Sequence, residues 1–228
     1  MNVTLIRHTL TPEELVALGA RLCYSKTDLL GLQQRVAKSD QEGFCRKVIG
    51  MGHESVLEHA SFTFGVEGVS RVLLAQLTRH RLASFSVQSQ RYCGANMELV
   101  IPDSMCIPEL VDDIVAVRRA VEELYSKAVG FGVPEEDARY LTLQAGTTRL
   151  MVTMNVRELR HFFSLRCCRR AQWEIREMAD EMLAICKQIA PALFSDAGPG
   201  CVRGKCPEGG KSCGKPRREE FINASETL

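Results

Sequence analysis

The sequence lacks the features that would place the protein in a membrane or on a nucleic acid. It contains no run of about eighteen apolar residues, the length of a membrane-spanning helix, and Met1–Arg7 shows no secretory-signal pattern. An excess of either charge is also missing, since 29 Lys and Arg face 28 Asp and Glu. We therefore expect a soluble cytoplasmic protein with no membrane partner and no nucleic-acid partner.

A disulfide framework of the secreted type is missing as well. The chain has 10 cysteines, but most are scattered through apolar helical segments, which favours small core residues in a reducing compartment. With 228 residues and 45% hydrophobic content, the chain is long enough for one well-buried domain. We predict this domain at 1–195 and a basic tail, rich in Cys and Gly, at 196–228.

Hydrophobic periodicity and helix caps predict an α+β fold, with an antiparallel or mixed central sheet flanked by long helices. The apolar stripe of a helix that begins at Pro108 is predicted to be core. Strands are predicted at Val3–Leu5, Phe62–Val66, Leu99–Ile101 and Thr147–Met154. Helices are predicted from Thr11 to about Cys23, from a capping box at Ser39–Glu42 to Gly50, at Val69–Leu77, Pro108–Gly130 and 134–144, and from Asn155 and about Arg170 onwards.

The stretch Gln76–Tyr92 carries the strongest functional signal. Across Gly68–Met97 there are four Arg and one His but no Asp or Glu, so the guanidinium groups have no counter-charge within the segment. Guanidinium groups suit phosphate and carboxylate oxygens. Because Arg79-His80-Arg81 follows a predicted apolar helix, the triplet should be held at a helix end as a preorganised anion site.

Three segments of the chain are similar to those of one enzyme family. The triplet at 79–81, followed after seven residues by Ser89-Gln90-Arg91-Tyr92, resembles the signature of the flavin-dependent thymidylate synthases. The segments Gly52–His59 (GHESVLEH) and Ala171–Arg176 (AQWEIR) resemble further family segments, so the resemblance covers roughly Val3–Phe194.

One position departs from the family pattern. Members usually carry Glu or Gln and then Leu just before the serine, whereas Val87 and Gln88 stand here. Gln88 is expected to take the polar role at this point.

The resemblance implies an activity and its cofactors. The family converts deoxyuridine monophosphate (dUMP) into thymidine monophosphate (dTMP), with methylenetetrahydrofolate as the carbon donor. Reduced FAD is the hydride source and is refilled by NADPH. Members are homotetramers whose active sites draw residues from several subunits. No Gly-x-Gly-x-x-Gly fingerprint is present, so the nicotinamide is expected to dock transiently at the same site.

The resemblance also implies residue roles. The flavin is expected to contact His53, Ser55, Glu58, Arg79, His80, Arg81, Ser164, Arg166 and Arg170. The nucleotide is expected to contact Gln76, Arg79, Val87, Gln88, Ser89, Gln90, Arg91, Arg149 and Arg176.

Two residues are candidates for the chemistry itself. Arg176 is expected to stabilise negative charge that develops at the N3 edge of uracil. Ser89 is either a hydrogen-bond partner of the substrate or a nucleophile, and we favour the first because no neighbouring general base is identifiable. Cys93, just beyond the motif, is not a strong candidate for thiol catalysis.

Three further possibilities arise from the sequence. His53 and His59 are six residues apart, which is not the spacing of a helical zinc pair, so no metal is predicted there. The tail cysteines Cys201, Cys206 and Cys213 lack a Cys-x-x-Cys pair, so the tail is either flexible or a metal or disulfide knuckle completed elsewhere. A nucleotide- or RNA-binding module without redox activity is the alternative function.

Overall fold

A computed structural model, which describes residues 1–94 and 97–222, shows an α+β fold. The strands are β1 (Asn2–His8), β2 (Ser61–Ser70), β3 (Ala83–Val87) and β4 (Thr147–Asn155). They form one antiparallel sheet in the order β1-β2-β4-β3. The predicted fold class with a central sheet is therefore confirmed.

Ten α-helices are distributed along the described residues. They are α1 (Pro12–Leu22), α2 (Leu29–Ala37), α3 (Gln41–Gly50), α4 (Arg71–Leu77), α5 (Pro108–Gly130), α6 (Glu135–Ala138), α7 (Val156–Arg166), α8 (Trp173–Ile189), α9 (Pro191–Phe194) and α10 (Arg218–Ile222). Short 3-10 turns lie at Glu54–His59 and, in the C-terminal region, at Gly200–Val202 and Gly209–Lys211.

The chain divides into two compact units. The first comprises Met1–Asn2, Gly65–Arg79 and Phe85–Met151, and the second comprises Val3–Phe64, His80–Ser84 and the chain from Val152 onwards. The domain boundary predicted between 195 and 196 remains a prediction.

Each unit has its own buried apolar residues. In the second unit, Phe62, Phe163 and Phe194 are fully buried, and Phe194 meets the other two rings edge-on at centroid distances of 5.6 and 6.0 Å. Such edge-to-face contacts stabilise aromatic clusters beyond simple burial. In the first unit, Leu73 and Leu77 give α4 a buried face.

Helix caps and strand alternation account for most of the elements. Asn155 accepts a hydrogen bond from the N–H of Glu158 at 2.8 Å, as its predicted capping box requires. Asp40 rather than Ser39 caps α3, by accepting from the N–H of Gly43. In β2 every second residue from Phe62 to Val66 is buried, which is the predicted two-residue period.

Several predicted boundaries are wrong. Val69 belongs to β2, because Ser70 caps α4 and delays the start of the helix. The helix predicted at 134–144 is limited to α6 and a 3-10 turn that ends at Leu141. The strand predicted at Leu99–Ile101 is reduced to a single bridge between Leu99 and Gly146.

Thr11 does not cap α1 as predicted. Its backbone has a φ of 43° in the left-handed region, and its hydroxyl makes no capping hydrogen bond. Pro12 at the first helical position and the acidic residues that follow are sufficient to start the helix.

The apolar stripe of α5 is not core in this chain, contrary to the prediction. No residue of α5 is buried, and Val117 and Leu124 are 52% and 51% exposed. Helical periodicity shows that a stripe exists but does not show what covers it.

No helix among the described residues has the length and apolar character needed to cross a membrane. All 10 cysteines lie within the described ranges, and each is a free thiol. Within the same ranges no group of three or more His, Cys, Asp and Glu side chains is arranged to hold a metal ion.

Candidate active site

His80 lies at the centre of a buried polar chain in the second unit. The residue is 4% exposed, and its Nδ1 lies 2.9 Å from Oε1 of Glu158, itself 5% exposed. On the other side of the ring, Nε of Arg166 donates to Nε2 of His80 at 3.0 Å. Phe162 closes the site with an edge-on ring contact at 4.9 Å.

The partners of His80 fix its protonation state. Arginine only donates hydrogen bonds, so Nε2 must be an acceptor and the ring proton must sit on Nδ1, which donates to Glu158. Burial lowers the pKa of His80 below its usual value, and the Arg166 cation adds to this, while Glu158 opposes it. The neutral ring therefore holds the guanidinium of Arg166 in one orientation.

Arg166 belongs to a cation-rich cavity of about 660 Å³ in the same unit. Ser164 and Arg170 also line it, together with residues of the C-terminal region. Ser164 donates its hydroxyl proton to the carbonyl of His161 at 2.7 Å, and Nη1 of Arg170 donates to the carbonyl of Lys211 at 2.5 Å.

The remaining predicted flavin residues of this unit lie away from that cavity. His53 and Ser55 line a cavity of about 710 Å³ that also presents Arg21 and Arg35. Glu58 instead accepts from Nη1 of Arg157 at 2.5 Å. Arg81 is exposed.

Arg176 lies in the first turn of α8 with a partly fixed guanidinium. Its Nη1 donates to the carbonyls of Arg169 and Ala171 at 3.1 and 3.2 Å. These two hydrogen bonds hold the guanidinium of Arg176 at the N-terminal end of α8. The helix dipole also favours an anion there.

In the first unit, the segment after α4 is tied to neighbouring elements. Arg79 donates from Nε to the carbonyl of Ala75 at 3.2 Å. The N–H of Gln88 donates to the carbonyl of Arg149 at 3.0 Å, so the end of β3, with Val87, lies beside β4. Gln76 and Gln90 are half-buried.

Ser89 and Arg91 form a local turn. The hydroxyl of Ser89 accepts from the N–H of Arg91 at 3.1 Å. Nε of Arg91 pairs with Oε2 of Glu136 at 2.6 Å, and both side chains are about half exposed, at 52% and 44%. The segment itself offers Arg91 no counter-charge, and its partner Glu136 comes from outside the segment.

Arg71 lies outside the set of residues predicted to bind a ligand. This half-buried side chain lines a cavity of about 350 Å³ with Gln90 and Arg139, and its buried Nε has no partner among the described residues. Burial, and then the nearby Arg139 cation, lowers the pKa of Arg71. Two like charges beside an unsatisfied donor indicate a place for an anion. The signal in the sequence is a cation at the first helical position, inside the stretch without acidic residues.

Comparisons with known proteins identify the family of the chain. The family model described as "Thymidylate synthase complementing protein" matches residues 4–192. A flavin-dependent thymidylate synthase of Geobacter sulfurreducens is 50% identical over 219 residues, which cover 94% of each chain.

The chain belongs to the flavin-dependent thymidylate synthase family. Another flavin-dependent thymidylate synthase, from Clostridium tetani, is 41% identical over 233 residues and 94% of each chain. A crystal structure of a UMP/dUMP methylase, PolB from Streptomyces cacaoi bound with 5-Br dUMP, shares the fold. It has a TM-score of 0.73 and 24% identity, over 85% of this chain and 92% of the other.

The predicted site residues of this thymidylate synthase family member fall in both units. Two residues were not predicted from the sequence: Glu158 in the second unit and Arg71 in the first. The second unit carries His53, Ser55, Glu58, His80, Arg81, Ser164, Arg166, Arg170 and Arg176. The first unit carries Gln76, Arg79, Val87, Gln88, Ser89, Gln90, Arg91 and Arg149.

Proposed function

We propose that the chain catalyses the reductive methylation of dUMP to dTMP, with FAD as cofactor and with methylenetetrahydrofolate and NADPH as co-substrates. The observation that carries this proposal is the family match over nearly the whole chain, which includes the arginine-rich signature at 79–91. When bound, the flavin supplies the hydride that completes the methyl group.

The residues of the second unit fit a flavin dinucleotide. The cavity of about 660 Å³ beside Ser164, Arg166 and Arg170 presents guanidinium groups, which suit the diphosphate of FAD. His80 holds Arg166 from behind through its acceptor Nε2, so a ligand meets a guanidinium that needs no reorientation. Because Gly52–His59 resembles a family segment, we propose that His53, Ser55 and Glu58 also bind the flavin.

The residues of the first unit fit a nucleoside monophosphate. Arg71 offers a buried donor without a partner in a small cavity beside Gln90, and Arg91 and Arg149 add two exposed cations. We propose that these groups bind the phosphate and the uracil edge, together with Gln76, Arg79, Val87 and Gln88. Arg176 would stabilise the charge that develops at N3 and so activate the ring.

We assign Ser89 to substrate binding rather than to nucleophilic attack. Its hydroxyl is engaged with the N–H of Arg91, and no basic side chain is recorded against it in the part of the chain that the structure describes. A serine without an adjacent base is a weak nucleophile.

We also propose a homotetramer that works in the cytoplasm. The exposed apolar side chains of α5, among them Val117 and Leu124, form a helix face that a second copy of the chain could cover. Sedimentation equilibrium measures the assembly, and a fully active monomer would contradict it.

The function is tested on purified protein supplied with FAD. The expected result is a yellow protein whose oxidised-flavin spectrum is bleached by NADPH and which converts dUMP into dTMP when methylenetetrahydrofolate is added. A colourless protein that binds RNA with steep salt dependence would instead favour the alternative of a nucleotide- or RNA-binding module.

Arg71→Gln tests the nucleotide site. Loss of a charge-assisted contact should raise the KM for dUMP by roughly tenfold to a hundredfold, with kcat and flavin content little changed. Steady-state kinetics at saturating folate and NADPH measure this. Arg118→Gln is the matched control, because Arg118 belongs to the same unit and pairs with Glu122 on the surface of α5. An unchanged KM would remove Arg71 from the site.

A further inference from the structure

The C-terminal segment Pro199–Arg217 is anchored to the rest of the second unit rather than loose. Nη1 of Arg217 donates to the carbonyl of Cys167 at 2.7 Å and pairs with Asp180 at 2.9 Å. Just beyond it, Phe221 is 8% exposed, and its carbonyl accepts from Nζ of Lys187 at 2.7 Å. These contacts pack the segment against α8 and the end of α7, and the choice between a flexible tail and a knuckle remains a prediction.

Two further contacts shape the middle of the segment. The carbonyl of Lys211 accepts from Arg170, one of the predicted flavin residues. A side chain at Gly200 would approach the ring of Pro207 to 2.7 Å, so the chain folds back on itself at that glycine. The segment is thus held as one wall of the cavity beside Ser164 and Arg166.

The charge of this cavity is strongly one-sided. Seven cationic side chains line it against a single carboxylate, that of Glu208. Arg169 and Arg217 are compensated by ion pairs with Glu220. Lys205 and Lys215 line the cavity from the segment, and among the described residues neither has a recorded ion pair.

We propose that the segment Pro199–Arg217 completes a binding site for the diphosphate of a dinucleotide, with Lys205 and Lys215 as its additional cations. The proposal deepens the proposed function and rests on it for the identity of the dinucleotide, which is either FAD or NADPH. A volume of about 660 Å³ is in the range of nucleotide pockets, and seven cations against the one carboxylate of Glu208 favour a compact dianion.

A metal knuckle is the competing use of the same segment. Cys168, Cys201, Cys206 and Cys213 also line the cavity. However, no metal-holding group exists within the described residues, and the surrounding cations oppose the binding of another cation. An anionic ligand is therefore the better match for this wall.

The test compares the double variant Lys205→Ala/Lys215→Ala with the wild-type protein. Its matched control is Lys26→Ala/Lys38→Ala, which removes two exposed lysines of the same unit away from this cavity. Calorimetry with ADP as the probe, on protein freed of flavin, should show affinity weakened roughly tenfold or more in the cavity variant and unchanged in the control. Thermal melting checks that both variants fold.

Two further measurements identify the source of the diphosphate. If it belongs to FAD, the cavity variant loses FAD affinity roughly tenfold while its affinity for riboflavin, which has no phosphate, stays the same. If it belongs to NADPH, FAD affinity is kept, and the NADPH concentration for half-maximal flavin reduction in anaerobic single-turnover experiments rises by about the same factor. Either pattern supports the proposal.

Failure of the proposal and failure of the proposed function are distinguishable. Absence of ADP binding to the wild-type protein, or equal ADP affinity in the cavity variant and the control, would overturn the diphosphate site even if dTMP is formed. Conversely, ADP binding that depends on Lys205 and Lys215 in a protein that makes no dTMP would keep the site and refute the proposed reaction.

Discussion

Arg176→Ala is expected to lower kcat for dTMP formation by roughly a hundredfold to a thousandfold, the cost of removing one preorganised donor to developing charge. Binding of FAD should stay near the wild-type level, because in the described part of the chain Arg176 donates to the carbonyls of Arg169 and Ala171 and to none of the residues proposed to hold the flavin. Methylation at C5 requires electron density at that carbon. A guanidinium at the N3 edge stabilises the negative charge that develops on the ring as C5 gains electron density. Removal of the guanidinium should therefore lower kcat more than it changes KM.

The position of Arg176 in the fold supports a role in orienting charge. Two backbone carbonyls accept from Nη1, and the described residues offer no carboxylate ion pair to the side chain. Its location at the start of α8 adds the positive end of the helix dipole. The group is therefore set before substrate arrives, and little reorganisation is required during the reaction.

Arg176→Lys and Arg46→Ala serve as comparisons for this change. Lysine keeps the charge but not the planar fork, so it should recover part of the activity. Arg46 is an exposed residue paired with Glu42 on α3, and its removal should leave kcat unchanged. Wild-type kcat in Arg176→Ala, measured at saturating dUMP and folate with matched FAD content, would exclude the proposed role.

Elements with local determinants are predictable from the sequence. The alternation in β2 and the Asn155 cap of α7 are set by neighbouring residues, and the structure confirms both. The helix α2 was not predicted, because Gly31 interrupts its short pattern and its cap, Asp28, stands in what looks like a loop. The strand β3 was missed for a similar reason, since its five residues show no strong alternation of apolar and polar types.

Contacts between residues that are far apart in the sequence could not be predicted from it. The partner of Arg91 is Glu136, and the partner of His80 is Glu158, 78 residues along the chain. The resemblance to the family names His80 and Arg91, but the carboxylates that contact them follow only from the fold. The exposure of the apolar stripe of α5 could not be predicted either. Periodicity does not specify whether the stripe packs against this chain or against another copy.

Glu158→Leu is the second change with a large expected effect, a loss of FAD affinity on the order of tenfold to a hundredfold at neutral pH. Glu158 accepts the Nδ1 proton of His80 and so keeps Nε2 as the acceptor for Arg166. Leucine leaves a buried N–H without a partner. The ring can then take the other tautomer, whose Nε2 proton would face the Arg166 donor. Fluorescence titration of FAD into flavin-free protein measures the loss, and unchanged affinity would show that Arg166 needs no support from His80.

Glu158→Gln separates the hydrogen bond from the charge. The amide oxygen still accepts from Nδ1, so FAD affinity at neutral pH should return to within a few-fold of wild type. Recovery by glutamine but not by leucine is the pattern expected of a positioning residue, whereas equal losses in both variants would indicate that the negative charge itself is required.

The lowered pKa of His80 makes the stability of the protein depend on pH in a definite direction. Because burial lowers the pKa of His80 below 6.5, the neutral ring contributes its full stability above about pH 6.5, and this is lost as the pH falls through the lowered folded pKa. The Glu158 carboxylate raises the pKa of His80 against the effect of burial, so glutamine should lower that pKa further. The loss of stability then still begins at about pH 6.5, where the histidine of the unfolded chain takes up its proton, but it continues to lower pH and becomes larger. Thermal melting of wild type and Glu158→Gln from about pH 8 to about pH 5 measures the size of this loss, with His80→Asn as the variant that lacks this titration. A smaller loss of stability between neutral and acid pH in Glu158→Gln than in wild type would contradict the neutral, Nδ1-protonated ring on which the positioning of Arg166 depends.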